Sequence, residues 1–243
     1  MDFSFLPKFL PYFNYGVLVT LIISACVVFF GTILGVLLAF AQRSRFYPLA
    51  GMTRLPWLAR FNPLALLANT YIWIFRGTPM VVQIMISFIL IKISAPIVPF
   101  GSINLDLSRL LPGIIIISMN SGAYVSETVR AGLNAVAAGQ MEAAYSLGMR
   151  PWPTMRYVIM PQAIRNILPS LGNEFITIIK DSSLLSTIGV MELWNGATTV
   201  SVTTYLHLSP LLFAAMYYLI MTSLMTWIIK CLENHFNKGA RTI

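Results

Sequence analysis

The chain has 243 residues, 57% of them hydrophobic and only 10% charged, with a net charge of +8. Soluble domains carry about 25% charged residues, so a chain this apolar cannot cover itself in water and belongs in lipid. The positive charge does not point to nucleic acid, because the basic residues are scattered singly rather than gathered into a stripe.

Crossing the hydrocarbon as a helix takes about 20 mostly apolar residues. The first such run, 16–41, is interrupted only by Thr and Ser and also holds Cys26. It ends in Ala39-Phe40-Ala41, which superficially matches a signal-peptidase site. The run is longer than a signal core of about 7–15 residues and further spans follow, so it is expected to be retained. The segment Arg45 to Phe61 matches no motif.

The second run, 63–91, is apolar except at Arg76-Gly77-Thr78-Pro79. It reads either as one long kinked span or as an interfacial helix followed by a shorter span. Both readings cross once. The third run is 111–136, with a polar second half. The fourth is 165–187, with its apolar centre at Leu168 to Leu185. The fifth is 205–231, which holds Cys231. The two cysteines show neither CxxC nor zinc spacing, so no disulfide framework and no metal site is expected.

These runs give an all-α integral membrane protein, one domain over 1–243 with about five spans. Basic residues set the orientation. With the N-terminus outside and the C-terminus cytoplasmic, Arg43, Arg45, Arg54, Arg60, Arg130, Arg150, Arg156, Arg165, Lys230, Lys238 and Arg241 fall on the cytoplasmic side. Only Lys8, Lys92 and Arg109 fall outside.

The loop between the third and fourth spans, 139–164, is longer than a connection needs. Gln140 to Leu147 reads as a short helix with small residues at Ala143 and Ala144, ended by Gly148. Pro151 and Pro153 force a turn, and a second helical stretch runs from Thr154 toward Pro161. On the residues alone this is a helix-turn-helix at the membrane surface, and an amphipathic connector resting on lipid fits equally.

Polar residues inside spans are costly and point to function. Glu174 and Asp181 are seven apart and share one helical face, with Lys180, Ser182 and Ser183 adjoining. Asn120, Tyr124 and Glu127 fall at i, i+4 and i+7. Arg76 and Gln83 are also seven apart, and Gly77-Thr78-Pro79 frees backbone groups that suit a cavity wall. Some have a second reading: Glu127 and Arg130 as an ion pair, Lys180 and Asp181 as a structural pair, Arg76 as an interface residue. Glu174 and Asp181 offer carboxylates to a cationic group. Arg76, Lys180, Thr78 and the serines offer donors to an anionic one.

Glu142-Ala143-Ala144, three residues, Gly148, nine residues and Val158-Ile159-Met160-Pro161 together resemble the EAA loop of ABC-importer permeases. Val158 and Met160 are conservative departures from its Ile-x-Leu-Pro end. FRGTPMVVQ (75–83), NSGAYVSETVRAG (120–132) and KDSSLLSTIG (180–189) resemble the polar amino acid branch, the HisM/GlnP-like one, in its expected order. The likeness covers most of the chain from Pro63 to Leu193.

The resemblance implies the MetI-like type I importer permease fold. Its cytoplasmic coupling helix, between the third and fourth spans, docks in a groove of an ATPase through Glu142, Ala143, Ala144, Gly148, Arg150 and Pro161. It places substrate contacts at Arg76, Gly77, Thr78, Gln83, Asn120, Tyr124, Glu174, Lys180, Asp181, Ser182 and Ser183. The chain holds no G-x-x-x-x-G-K-[S/T] loop, so no catalytic residue and no cofactor is expected in it.

ATP and Mg would sit on a partner, a cytoplasmic ABC ATPase dimer. The other implied partners are a second permease subunit, identical or homologous, an extracytoplasmic amino-acid-binding protein, the polar amino acid and membrane lipid. The implied location is the cytoplasmic (inner) membrane of a bacterium. The rival is an ion-coupled secondary amino acid transporter with Glu174 or Asp181 carrying protons, yet the internal repeats usual there are absent. A membrane scaffold without transport is disfavoured by the charged residues within spans. The two acids suggest a basic substrate, but the motifs around them also resemble those of permeases for neutral and acidic amino acids.

Overall fold

The computed structural model describes residues 3–48 and 60–238, with side chains as far as 234. Arg54 and Arg241, used above for orientation, lie outside the described residues, as do residues 49–59 of the unmatched segment. Helix α1 (Leu6–Gln42) has 37 residues and starts ten before the expected first span. Its hydroxyls bond back into the helix, as Ser24 Oγ does to the Thr20 carbonyl at 2.8 Å.

Helix α2 (Pro63–Gly77) opens with Pro63 at its first turn and Asn62 as cap, whose side chain accepts from the Ala65 N–H at 3.0 Å. It stops at Thr78, extended at φ −121° and ψ 147°. A residue before proline is pushed out of the helical region. Helix α3 (Met80–Leu90) then leaves in a direction turned by 111°. The expected second span is therefore a broken helix, sharper than a kink.

A hairpin of β1 (Ile97–Phe100) and β2 (Ile103–Asp106) follows, antiparallel, with Val98 opposite Leu105. It is a small exception to the all-α expectation. Helix α4 (Leu107–Asn134) covers most of the expected third span, and α5 (Ala138–Ser146) starts the loop. A turn at Pro151–Pro153 leads through a π-helical turn, Thr154–Ile159, into α6 (Met160–Asp181).

The second stretch of the loop is thus continuous with the fourth span rather than a separate helix. Pro161 has no N–H to give the carbonyl four back, and its ring crowds that carbonyl. The wider turn relieves this, with the Met160 N–H bonding five back to Met155. Past Asp181 the chain tightens into a 3₁₀ turn, Ser182–Ile188, so α6 ends six residues before the expected span does. Helix α7 (Leu193–Thr204) was not expected, and α8 (Ser209–Lys238) is the fifth run.

Among the described residues, two helices are long and apolar enough to cross a membrane, Leu6–Gln42 and Ser209–Asn234. The broken pair adds a third if it is one span. The 28 residues of α4 and 22 of α6 have the length, but their polar faces lower their apolarity.

The chain forms two compact units. The first (Met1–Phe29, Pro79–Ser118, Leu168–Ile243) is built on Phe5, Phe13, Ile179, Leu193, Ala197, Val200, Ala214 and Met221. Phe13 meets Phe213 edge to face, ring centres 5.0 Å apart. The second (Phe30–Thr78, Met119–Ile167) joins the later part of α1 to the later part of α4. A Cβ on Gly35 would fall 2.6 Å from Val125, and one on Gly122 2.9 Å from Leu34. Helix association in lipid relies on such close approach through small residues.

Candidate functional site

In the second unit the polar residues hold one another. Arg76 lies 3.9 Å from Glu127, which also pairs with Arg130, three residues on. The expected ion pair of Glu127 and Arg130 is present, widened by Arg76. The Arg76 guanidinium sits over the Tyr124 ring, 5.2 Å from its centre. Asn120 is buried and donates to the Phe75 carbonyl at 3.0 Å, while the Tyr71 hydroxyl donates to the Met119 carbonyl at 2.8 Å. These bonds tie α2 to α4. Thr78, exposed beside exposed Gly77, turns its hydroxyl back to the Ile74 carbonyl at 2.9 Å.

The pairing of Arg76 with Gln83 on one face does not hold. Seven residues make a shared face only on a continuous helix, and this one breaks at Thr78-Pro79. Gln83 is buried on α3, within the first unit.

In the first unit, α6 is unbroken through Glu174 and Asp181, so these two do share a face. Beside them runs an exposed row of Ser170, Asn173, Thr177 and Lys180. Only Lys180 of this row figures among the sequence candidates. Its signal was the alternating three- and four-residue spacing, which marks one stripe of a helix.

Ser182 is buried and donates to the Ile179 carbonyl at 2.8 Å, and Ser183 donates to the Lys180 carbonyl at 2.6 Å. Both hydroxyls thus serve the transition from α-helix to 3₁₀ turn. Lys180 and Asp181 do not form an ion pair with each other among the described residues.

The far end of this motif is fastened from the first turn of α4. Gly189 has φ +79°, and its N–H bonds to the Ser186 carbonyl while the Val190 N–H reaches Leu185. Arg109 donates to the Ile188 carbonyl at 3.1 Å and pairs with Asp106 at 3.0 Å. The Ser108 hydroxyl and N–H, with Arg109, hold the Asp106 carboxyl below the usual carboxylate range.

Glu192 is not among the residues that the sequence singles out. It is fully buried, and its two oxygens accept from the N–H groups of Trp194 and Asn195, each at 2.7 Å, capping α7. The Tyr218 hydroxyl also donates to it at 3.0 Å, and the Leu193 N–H donates to Thr20 Oγ1 at 3.3 Å. Burial pushes this carboxyl up to about 7, against the pull of the three donors. The one signal was an acid placed just before the first turn of a helix.

The loop places Glu142, Ala143, Gly148, Arg150 and Pro161 on the surface but buries Ala144. Ala144 therefore serves packing inside this chain rather than close approach to a partner. The Gly148 N–H bonds to the Tyr145 carbonyl at 2.9 Å and the Met149 N–H to Ala144 at 3.1 Å. With Gly148 at φ +77°, this is a Schellman cap. The Arg150 carbonyl accepts from both the N–H and the hydroxyl of Thr154, at 3.0 Å each, starting the next turn.

The description of the binding-protein-dependent transport system inner membrane component family matches residues 31–238. A Rickettsia felis protein provisionally named as a glutamine transport system permease, GlnP, is 38% identical over 95% of this chain and 97% of its own. The arginine transport system permease protein ArtQ of Bacillus subtilis is 33% identical over 96% of each chain. Among solved structures, an amino acid ABC transporter crystallised with histidines is similar at a TM-score of 0.80 and 34% identity, over 97% of this chain and 99% of that one. By the reach of the family match and of these relatives, the chain belongs to the binding-protein-dependent transport system inner membrane components.

Proposed function

We propose that the chain is the membrane-spanning permease subunit of an ABC importer that carries a polar amino acid across the bacterial cytoplasmic membrane. The observation that carries this is the open polar face of α6. Ser170, Asn173, Thr177 and Lys180 are exposed along one stripe of a helix in an otherwise apolar chain. Such a stripe is costly against lipid, and water, solute or protein must lie opposite it. A substrate route satisfies that need.

The chain works as one permease domain with five spans, N-terminus outside, the broken pair α2–α3 crossing once. On this route Glu174 and Asp181 meet the substrate ammonium, and Lys180 with the nearby hydroxyls meets its carboxylate. Arg76, Gly77, Thr78, Gln83, Asn120 and Tyr124 shape the route, with Arg76 held by Glu127 until a substrate competes for it. The relatives named for glutamine and arginine support a polar amino acid as cargo. Helix α5 is the coupling helix, offering Glu142 and Ala143 to an ABC ATPase dimer that binds ATP and Mg. A second permease chain completes the enclosure, and a binding protein delivers substrate from outside.

The test is reconstitution of the complex with its ATPase and binding protein in proteoliposomes. Glu174→Gln and Asp181→Asn each lower substrate-stimulated ATP hydrolysis by roughly 10–100-fold, the loss expected for a hydrogen bond to a charged group, while the complex stays assembled. Unchanged uptake kinetics in both variants would remove them from the route. Uptake by the chain alone, driven by a proton gradient without ATP, would overturn the ABC assignment.

A further inference from the structure

We propose that Arg109 is a positioning residue for transport: it fixes the far end of the 3₁₀ turn, and so the bearing of Lys180 and Asp181 toward the cargo. This rests on the reading that α6 faces the substrate route. Arg109 itself lies before the expected third span and is not one of the residues given to that route.

The turn Ser182–Ile188 runs for seven residues. Runs of 3₁₀ helix beyond about three or four residues are uncommon, because their hydrogen bonds are poorly aligned. Over seven residues this form is about 3.5 Å longer than an α-helix and winds further at each residue. A turn free to relax to α-helix would therefore shift and rotate whatever is joined to it. Lys180 and Asp181 are joined to its near end, where α6 runs straight into the turn.

The turn is held along its length, all within the first unit. Its Leu185 is fully buried, and a Cβ on Gly113 of α4 would fall 2.6 Å from that side chain. Helix α3 packs against the same turn. At the far end the Ser186 and Leu185 carbonyls accept from the backbone, and the Ile188 carbonyl accepts from Arg109 at 3.1 Å. A Cβ on Gly189 would collide with the guanidinium, so this glycine admits Arg109 as well as the positive φ.

The other side of the guanidinium has a firm footing. Arg109 Nε donates to Asp106 at 3.0 Å, and Asp106 accepts from the Ser108 N–H at 2.9 Å. Asp106 ends the hairpin, which is lodged on α1: Tyr15 meets Phe100 edge to face at 5.5 Å, and a Cβ on Gly101 would enter the Tyr15 ring. A partly exposed ion pair such as Arg109 with Asp106 adds little stability by itself. What the arginine supplies is geometry, a rigid fork with one nitrogen on Asp106 and another on the Ile188 carbonyl. Lysine keeps the charge but not the fork.

The experiment takes two readings. Hydrogen–deuterium exchange of the full-length chain in detergent follows the amides of 182–190. Arg109→Gln should speed their exchange about five-fold, as expected for one net hydrogen bond, while α7 and α8 keep their protection. Proteoliposomes holding the complete complex, with its ATPase and binding protein, then take up a radiolabelled mixture of the protein amino acids. Arg109→Gln should slow uptake roughly 10–100-fold, the loss that a misplacement of about 1 Å can bring, with basal ATP hydrolysis unchanged. Arg109→Lys should recover part of the uptake. Should Arg109→Gln not assemble, Asp106→Asn, which loosens the footing of the fork, gives the same two readings.

Unchanged exchange in Arg109→Gln would show that the turn holds itself, and would overturn the proposal. Faster exchange with normal uptake overturns it too, as does an equal loss of uptake and of basal ATP hydrolysis, the mark of a general structural role. Normal uptake in Arg109→Gln beside slow uptake in Glu174→Gln and Asp181→Asn would sink this proposal alone. Normal uptake in both acid variants would sink the reading of the route, and the proposal with it.

Discussion

Glu192 gathers three hydrogen bonds in the first unit, two from backbone and one from a side chain. Its carboxyl has lost all water and received three donors in exchange. With the folded value near 7 against an ordinary 4.5, the folded state holds a proton that the unfolded state has released. The group's contribution to stability is therefore whole below about 4.5, declines as pH rises toward 7, and is gone above it. The melting temperature of the detergent-purified protein should fall between pH 5 and 8 by more in wild type than in Glu192→Gln; equal slopes would show that Glu192 does not titrate there.

Glu192 falls between the expected spans, at 187 and 205, where an acid carries no membrane cost to mark it and no matched motif includes it. Glutamate is also a weak capping signal beside Asp, Asn or Ser. Glu174 and Asp181 were legible because their spacing is a local property of one unbroken helix. Arg76 and Gln83 carried the same spacing but were parted by Pro79, a signal present in the sequence and outweighed by the long apolar run.

Helix α5 and its cap are the most legible element. A glycine in the left-handed region and a proline early in the following helix are local rules, and both lie in the pattern from Glu142 to Pro161. A Cβ built on Gly148 meets nothing within 4 Å, so any substitution there acts through the backbone and not through crowding. Gly148→Ala should cost about 1–2 kcal/mol of local stability, and Gly148→Asn less, because Asn tolerates this conformation.

Gly148→Asp should leave the chain in the membrane yet loosen the ATPase, with basal ATP hydrolysis persisting uncoupled from uptake. Co-purification of the ATPase, measured together with uptake into vesicles, checks this; normal values of both would make the loop a surface connector. Less legible were α7 and the hairpin. With 12 residues in the helix and four in each strand, they are too short to imprint a period on a sequence that is apolar nearly everywhere. The π-helical turn was hidden for another reason, because a proline near a helix start is ordinarily accommodated without distortion.

For the whole molecule, the asymmetry of eleven basic residues against three predicts sidedness directly. After Cys26 and Cys231 are replaced by Ser, Val98→Cys in the hairpin should react with an impermeant maleimide in intact cells. Tyr157→Cys, exposed in the loop, should react only after permeabilisation. The reverse pattern would invert the chain.

The first unit's core has a consequence for the order in which the protein is made. Phe5 and Phe13 pack with Ala214 and Met221, and the Tyr217 hydroxyl bonds to Asn14 across 203 residues of chain. Synthesis at about 5–20 residues per second puts roughly 10–40 s between the emergence of those two partners. During that interval α1 is already in the bilayer with its aromatic face unmet, and Glu192, once made, still lacks the Tyr218 hydroxyl. The nascent chain must be shielded by the insertion machinery until its last helix arrives, and a ribosome stalled before Ser209 would leave a product that machinery cannot release into lipid as a folded unit.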